Sequence, residues 1–471
     1  MSRATAWIEA AGTPAVGVTC RGFSPPARLV ARAEGVPDMR LLEFPPPNIG
    51  AMRKEEIYAA TLERVDELVA LFTHAGPGPV AAAAADAAAP AAAPVGARDI
   101  VFSGTLGEVN DFFRGKVWSD GLPIMPPTVD DVEEMLAFTD RAPEEVIGLL
   151  PPTRLPATVW KVAVNGVMAG CRPEYLPVLL AITEAVADTR FSIENAGSTV
   201  GLTPLIILNG PIIKELGFNS GQGVLRPQAQ ANISVSRFLR LALVNIAGCR
   251  VGETDMATFG RNYYPVVAEA EDVSPWQPFS VDRGFARGEN VITVQSADSI
   301  SHSFLSEGSG ADHLRVIAHE FGRELGGQMF VPMEHFGGEV TPVIGLTPLV
   351  AGIIARDGYA KDDVRRYVFE HATIAARDAD ANLNRHQLGL DLHESVRLGR
   401  LPPLFAQSDD PERRVPVVHK PEEINIVVTG SPDRNRSFIA AQFGHQGFRV
   451  SKPIKLPAHW AQLLKGKDRV D

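Results

Sequence analysis

The sequence predicts a soluble α/β protein of at least two domains, and three observations predict it. Short apolar or β-branched runs alternate with longer stretches of helical periodicity, the pattern of folds that mix helices with sheets. The 471 residues suffice for two to four domains at roughly 100–200 residues each. A tract from Val80 to Pro94, in which eleven of fifteen residues are alanine and two are proline, reads as an irregular tether between domains.

The elements follow in order. Ala15 to Cys20 is a buried strand, Ala27 to Glu34 a helix, and Met39 to Phe44 a second strand stopped by Pro45-Pro46-Pro47. Lys54 to Phe72 carries Ile57, Leu62, Val65, Leu68, Val69 and Phe72 at helical spacing and is predicted as one amphipathic helix. These pieces form a small Rossmann-like half-domain over residues 11–74, followed by the Ala/Pro linker at 75–97. The main α/β (or α+β) domain spans 98–405. Its predicted helices are Leu106–Phe113, Thr128–Phe138 with Thr128 as cap, Val159–Met168, Leu176–Thr189, Ser234–Gly248, His313–Leu325 and Lys361–Asp378. Its strands include Leu205–Leu208 and Asn290–Val294. A C-terminal βαβ unit is expected at 420–466: strand Ile424–Thr429, helix from Gly430 to about Phe443, strand Gly447–Val450. That unit is expected to dock on the N-terminal piece and complete its sheet. No internal repeat of fixed period is visible.

Composition narrows the function classes. The hydrophobic fraction is 45% and the charged fraction 21%, ordinary for a globular chain. A formal charge of −11 argues against a nucleic-acid groove and against an anionic membrane surface. No run reaches the ~18 apolar residues of a membrane span, and no apolar segment follows Arg3 as a secretory signal would require. Cys20, Cys171 and Cys249, with no CxxC pair, suit a reducing, cytoplasmic setting.

Two groups of segments carry a resemblance. Thr13-Pro-Ala-Val-Gly-Val-Thr-Cys-Arg-Gly-Phe23, Ala31-Arg-Ala-Glu-Gly-Val-Pro-Asp-Met-Arg-Leu41 and Pro45-Pro46-Pro47 resemble the second half of the UGSC family of small selenoproteins. That family carries a Sec(or Cys)-Gly-Ser-Cys motif near its N-terminus, and no position here matches it. Asp120-Gly-Leu-Pro-Ile-Met-Pro-Pro-Thr128, Lys161–Pro177 and Leu202-Thr-Pro-Leu-Ile-Ile-Leu-Asn-Gly-Pro211 are similar to the large proteins that accompany the family. The resemblance implies a UGSC-like partner chain that supplies a thiol or selenol.

Three constellations could carry chemistry. His302, His313, His319, Glu320, Glu324, Glu334, His335 and Glu339 fall within 38 residues. Imidazoles and carboxylates converging from several elements hold zinc or iron, so His313, His319, Glu320 and His335 are candidate ligands of a divalent transition metal. The alternative is a solvated helix with surface His and Glu, because no HExxH is present.

Glycine- and asparagine-rich loops form the second group: Asn209-Gly-Pro211, Asn219-Ser-Gly-Gln-Gly223 and Asn232, preceding the helix that bears Arg237 and Arg240. Backbone amides in such loops cradle anions, making Asn209, Asn219 and Arg237 candidate substrate contacts, although the same composition serves plain turns. Thr429-Gly-Ser-Pro-Asp-Arg434 is a similar turn.

Lys161 and Asn165 are polar residues one turn apart on an otherwise apolar helix that ends near Cys171. A buried lysine titrates low and serves as base or nucleophile; a lysine at a helix edge merely extends its amine to water. Lys161, Asp120 and Cys171 are therefore the candidate catalytic groups, with Asn165 a substrate contact.

The leading expectation is an enzyme or enzyme subunit, of reductase or lyase type, acting on a small anionic molecule. It would cleave or form a carbon–heteroatom bond with thiol or selenol chemistry shared with the partner. A metal-dependent hydrolase or lyase built on the histidines, and a non-catalytic scaffold subunit, are the alternatives. Unfinished sheet edges predict an oligomer or hetero-complex.

Overall fold

A computed structural model of the protein describes residues 2–20, 22–44, 52–73, 96–199, 201, 203–326, 340–385, 391–442 and 447–467. The fold class is α/β. The alanine/proline tract at 80–94 lies outside the described residues.

The N-terminal unit runs α1 (Ser2–Ala10), β1 (Gly17–Cys20), α2 (Ser24–Ala33), β2 (Leu41–Phe44), α3 (Lys54–Leu62) and α4 (Val65–Thr73). β1 and β2 are parallel, from Gly17 opposite Leu41 to Cys20 opposite Phe44. Ala6, Ala31 and Met39 form a small core beneath them. The single helix expected over 54–72 is two helices. At the break, Arg64 donates to the carbonyl of Glu43 (2.9 Å), so a tertiary contact holds the junction at the end of β2. The unit is fastened to the rest of the chain at Glu34, which accepts from Arg3 (2.8 Å), Trp7 (2.9 Å) and Arg154 (3.2 Å). Arg3 also pairs with Glu194.

The rest of the chain builds four layers, helices–sheet–sheet–helices. Its first half comprises α5 (Leu106–Gly115), α6 (Val129–Leu136), β3 (Val146–Leu150), β4 (Leu155–Thr158), α7 (Val159–Met168), α8 (Leu176–Ala187), β5 (Thr203–Asn209), α9 (Ile212–Glu215), α10 (Gln230–Ala242), β6 (Val266–Ala268), α11 (Phe279–Asp282) and β7 (Val291–Ala297). Its second half comprises β8 (Ser299–Ile300), β9 (Phe304–Leu305), α12 (Gly310–Gly326), β10 (Val343–Leu346), α13 (Pro348–Arg356), α14 (Lys361–His371), β11 (Thr373–Ala375), α15 (Ala376–Arg385), α16 (Leu392–Arg397), β12 (Arg414–Pro416), β13 (Asn425–Val428), β14 (Arg436–Ala441), β15 (Val450–Pro453) and α17 (Trp460–Lys467).

One sheet has the order β15-β7-β5-β6; the other has β13-β10-β14-β8, with β9 also on β14. Side chains alternate faces along a strand, and here both faces are covered. Ile206 and Leu208 of β5 enter the core beneath α7, α8 and α10, while Leu205 and Ile207 enter the layer between the sheets. Ile344 and Leu346 of β10 likewise face the second helical layer, and Val343 faces the inter-sheet layer. Burial on both faces explains why β5 and β10 read as unbroken apolar runs.

The two sheets repeat one topology. β5 pairs parallel with β6 and antiparallel with β7; β10 pairs parallel with β13 and antiparallel with β14. Ile206 lies opposite Val266 as Ile344 lies opposite Ile426. The amide of Glu269 donates to Leu208 (3.0 Å) as that of Thr429 donates to Leu346 (2.8 Å). The strand that follows each of the two antiparallel strands crosses to the other sheet: β8 follows β7 but pairs with β14, and β15 follows β14 but pairs with β7. Thr203-Pro-Leu-Ile-Ile-Leu208 and Thr341-Pro-Val-Ile-Gly-Leu346 are the sequence trace of this duplication. Long insertions separate them, which is why no fixed period is visible.

Two expected helices are corrected. The segment after Gly430 is β14, not a helix, because Phe438 and Ala440 face one side of the sheet and Ile439 and Ala441 the other. The C-terminal strands thus belong to both sheets of the main body, and among the described residues β1–β2 stays two-stranded. Lys361–Asp378 breaks at Ala372, where Thr373–Ala375 pairs with β12. Among the described residues no helix is long and apolar enough to cross a membrane.

Candidate functional site

The parallel strands β5 and β6 end side by side, and the chain there turns into loops that meet the end of β13. Asn209, the last residue of β5, is fully buried. Its Nδ2 donates to Oε2 of Glu269 (2.6 Å) and to Oε1 of Glu271 (2.8 Å), so one amide bridges two carboxyl groups. The amide of Gly210 adds a second donor to Glu271 (2.7 Å). Gly210 has φ +100°, and a Cβ there would lie 2.5 Å from Asn290 Oδ1, so glycine is required. Glu269 also accepts from the amides of Phe279 (2.7 Å) and Val428 (3.4 Å). The Oδ1 of Asn209 is buried with no hydrogen-bond partner among the described residues.

Burial pushes the Glu269 carboxyl above the ordinary carboxylate range, against the charge of Lys361 and the three donors. Lys361 is itself buried and donates to Asp282 (2.6 Å) and to the carbonyl of Gln277 (3.1 Å). The loop after α9 closes on this edge: Thr429 Oγ1 donates to the carbonyls of Ala268 (2.8 Å) and Ser220 (3.2 Å), and the Gly430 amide to Ser220 (2.8 Å). Asn219 spends its side chain within the loop, on the Gln222 carbonyl (3.0 Å) and the Gly221 amide (2.9 Å). Its backbone amide is held by Asn232 (2.8 Å). Asn209 and Asn219 therefore reach one edge, with Asn209 aimed at carboxyl groups rather than outward.

The other expected residues gather where α7 and the loop 118–124 meet α10. Asp120 is almost fully buried and takes a two-point ion pair from Arg237 (3.0 and 3.1 Å), with Arg240 at 4.0 Å. Burial raises its pKa, but the hydrogen bonds and charge of Arg237, with Arg240, outweigh this and hold the carboxyl below its usual range. Such a group stays charged and anchors the loop; Arg237 also donates to the Pro123 carbonyl (2.7 Å). Asn165 donates to the Lys161 carbonyl (2.9 Å) and accepts from Asn245 (2.8 Å), which also holds the Trp118 carbonyl (3.1 Å).

Thr158 caps α7, and the Lys161 amine turns back to the Pro156 carbonyl (2.9 Å). Burial lowers its pKa, the direction a base requires. Cys171 is buried beside Ser234, and burial pushes its thiol up to about 12, so it stays protonated at neutral pH, where a nucleophile needs thiolate. The contacts of Asp120 and Cys171 are those of positioning and packing.

The histidines do not converge among the described residues. His313 and His319 are six positions apart on α12, roughly 120° around the helix. His313 faces the core with Nδ1 at 2.7 Å from Ser306 Oγ, while His319 is exposed. Glu320 pairs with Arg323 (3.0 Å). His335 lies outside the described residues. No group of three or more His, Cys, Asp or Glu able to hold a metal is present among the described residues.

Glu269, Glu271 and Lys361 were not expected from the sequence. The available signal was Glu-Ala-Glu-Asp272 directly continuing the apolar Pro-Val-Val-Ala268 run, an acid placed where a buried strand ends.

The architecture defines an α/β protein with two face-to-face mixed sheets of duplicated topology. Residues 1–74 match the UGSC family, and the match runs from the first residue of the chain, so the expected resemblance to the family's second half alone is not borne out. No curated protein and no solved structure matches the chain.

Proposed function

We propose that this chain is an enzyme, or the larger subunit of one, that cleaves or forms a carbon–heteroatom bond of a small anionic molecule. Glu269 handles the proton in this reading. The observation that carries it is a fully buried carboxyl with a raised pKa at the end of a parallel strand pair, where α/β sheets place their ligands. A carboxyl whose pKa is raised can give a proton to a leaving heteroatom and take it back. Asn209 orients it, and the glycine-rich loop 219–223 offers backbone to an anionic group at the same edge. In this reading a thiol- or selenol-bearing partner chain in a cytoplasmic complex supplies the nucleophile, because residues 1–74 match the UGSC family and the sequence has no Cys-Gly-Ser-Cys motif.

The test is purification from the native source without chelator, counting selenium and transition metals per chain and identifying copurifying chains by mass. A thiol or selenol partner in fixed ratio, without stoichiometric metal, is the expected result. A stoichiometric transition metal and no such partner would overturn the reading. In the reconstituted complex, Glu269→Gln is expected to lower turnover by about 10²–10⁴-fold.

A further inference from the structure

We propose that the N-terminal unit carries a separate binding site for a small anion that brings its own O–H donor, such as a hydrogen phosphate group or a hydroxy acid. The site is an open cleft of about 550 Å³ beyond the C-terminal ends of β1 and β2, lined by Gly22, Ser24, Pro25, Arg28, Arg32 and Glu43. It does not rest on the reading of Glu269.

The first argument is charge. Six described arginines lie in this unit. Arg3, Arg40, Arg53 and Arg64 each pair with a carboxylate, namely Glu34, Glu9, Glu56 and Glu67. Arg28 and Arg32 have no hydrogen-bond or ion-pair partner among the described residues, and both line the cleft. They stand one turn apart on α2, so their guanidinium groups share one face. Two adjacent like charges repel on a helix, and an anion between them removes the repulsion while accepting paired N–H donors.

The second argument is what the cleft lacks and adds. Pro25 and Pro26 sit in the first turn of α2 and have no amide hydrogen, so the helix start offers few backbone donors. Recognition therefore falls to the two guanidinium groups. At Gly22 no atom of the described residues, its chain neighbours aside, lies within 4 Å of where a Cβ would stand. Glu43, which accepts from Ser24, presents a carboxylate on the same wall. A bare oxygen facing it is repelled, whereas a ligand hydroxyl donates to it. The cleft thus selects an anion with a hydroxyl over one without.

Isothermal titration of the full chain with inorganic phosphate, malate and succinate tests this. Phosphate and malate are expected to bind, with affinity falling as salt rises from about 20 to about 300 mM, and succinate at least several-fold more weakly. The Arg28→Gln/Arg32→Gln double variant is expected to lose about tenfold or more in affinity with an unchanged melting temperature. Arg53→Gln, whose arginine lies outside the cleft, is expected to bind as the parent does. Phosphate binding without malate binding would assign the site to phosphoryl groups, and the reverse to hydroxy acids. No binding of either at about 10 mM, or equal binding by the double variant, would overturn the site. Equal binding of succinate would overturn the selective role of Glu43.

Discussion

At the scale of single residues, burial decides how the titratable groups behave. Glu269 is driven towards its neutral form, so it stabilises the fold below the ordinary carboxylate range and loses that contribution as pH rises through its raised pKa. Glu269→Gln is uncharged throughout. Its denaturation midpoint relative to the parent is therefore expected to improve as pH rises towards neutrality. His419 works in the opposite sense. Burial, with the charge of Lys420, lowers its pKa to about 4, so it is neutral in the fold and packs edge-on against Phe405 at 6.0 Å. The stability it protects is present above the ordinary histidine value and is lost as pH falls from about 6.5 towards about 4, on the order of 3 kcal/mol. His419→Phe keeps the ring. Its denaturation midpoint should vary less over that window, as urea titrations at several pH values would show.

At the scale of elements, local chemistry sets helix starts while neighbours set strand identity. Thr128 and Thr158 accept from the amides three residues on, and both helix starts were legible from the sequence. Thr158→Ala should cost about 1 kcal/mol of stability, read by thermal melts. β10 carries a glycine for a different reason. A Cβ on Gly345 would lie 2.0 Å from the Phe438 ring on β14, so the aromatic ring covers the space a side chain would need. Gly345→Ala should destabilise by about 1–3 kcal/mol through overpacking, and the added Phe438→Leu change should recover part of it.

At the scale of the molecule, the exchange of outer strands makes the two halves interdependent. β15 closes the first sheet and β13 and β14 form much of the second, so the C-terminal segment is part of both. A chain ending at Glu423 should lose both sheets and fail to give a cooperative melt. Removal of residues 1–95 should leave the four layers folded, since the described residues of that unit contribute no strand to either sheet. Circular dichroism of the two truncations distinguishes these outcomes.

By itself the sequence determined the α/β class, most of the helices with periodic apolar faces, the central strands and the Thr128 helix cap. Those features depend on neighbours a few residues away, and periodicity and capping chemistry report on that range. It also placed Asn219 in a loop, although that loop follows α9, and Asn209 is the last residue of β5 rather than a loop residue. Only the tertiary structure decided that Arg436–Ala441 is a strand, because its partners β10 and β8 lie far away in the chain. It decided that Asp120 meets Arg237 across 117 positions, and that Asn209 meets Glu269 across 60. A residue's charge state follows from burial and from such distant partners, so the chemistry of Glu269, Asp120 and Cys171 is a property of the packed fold.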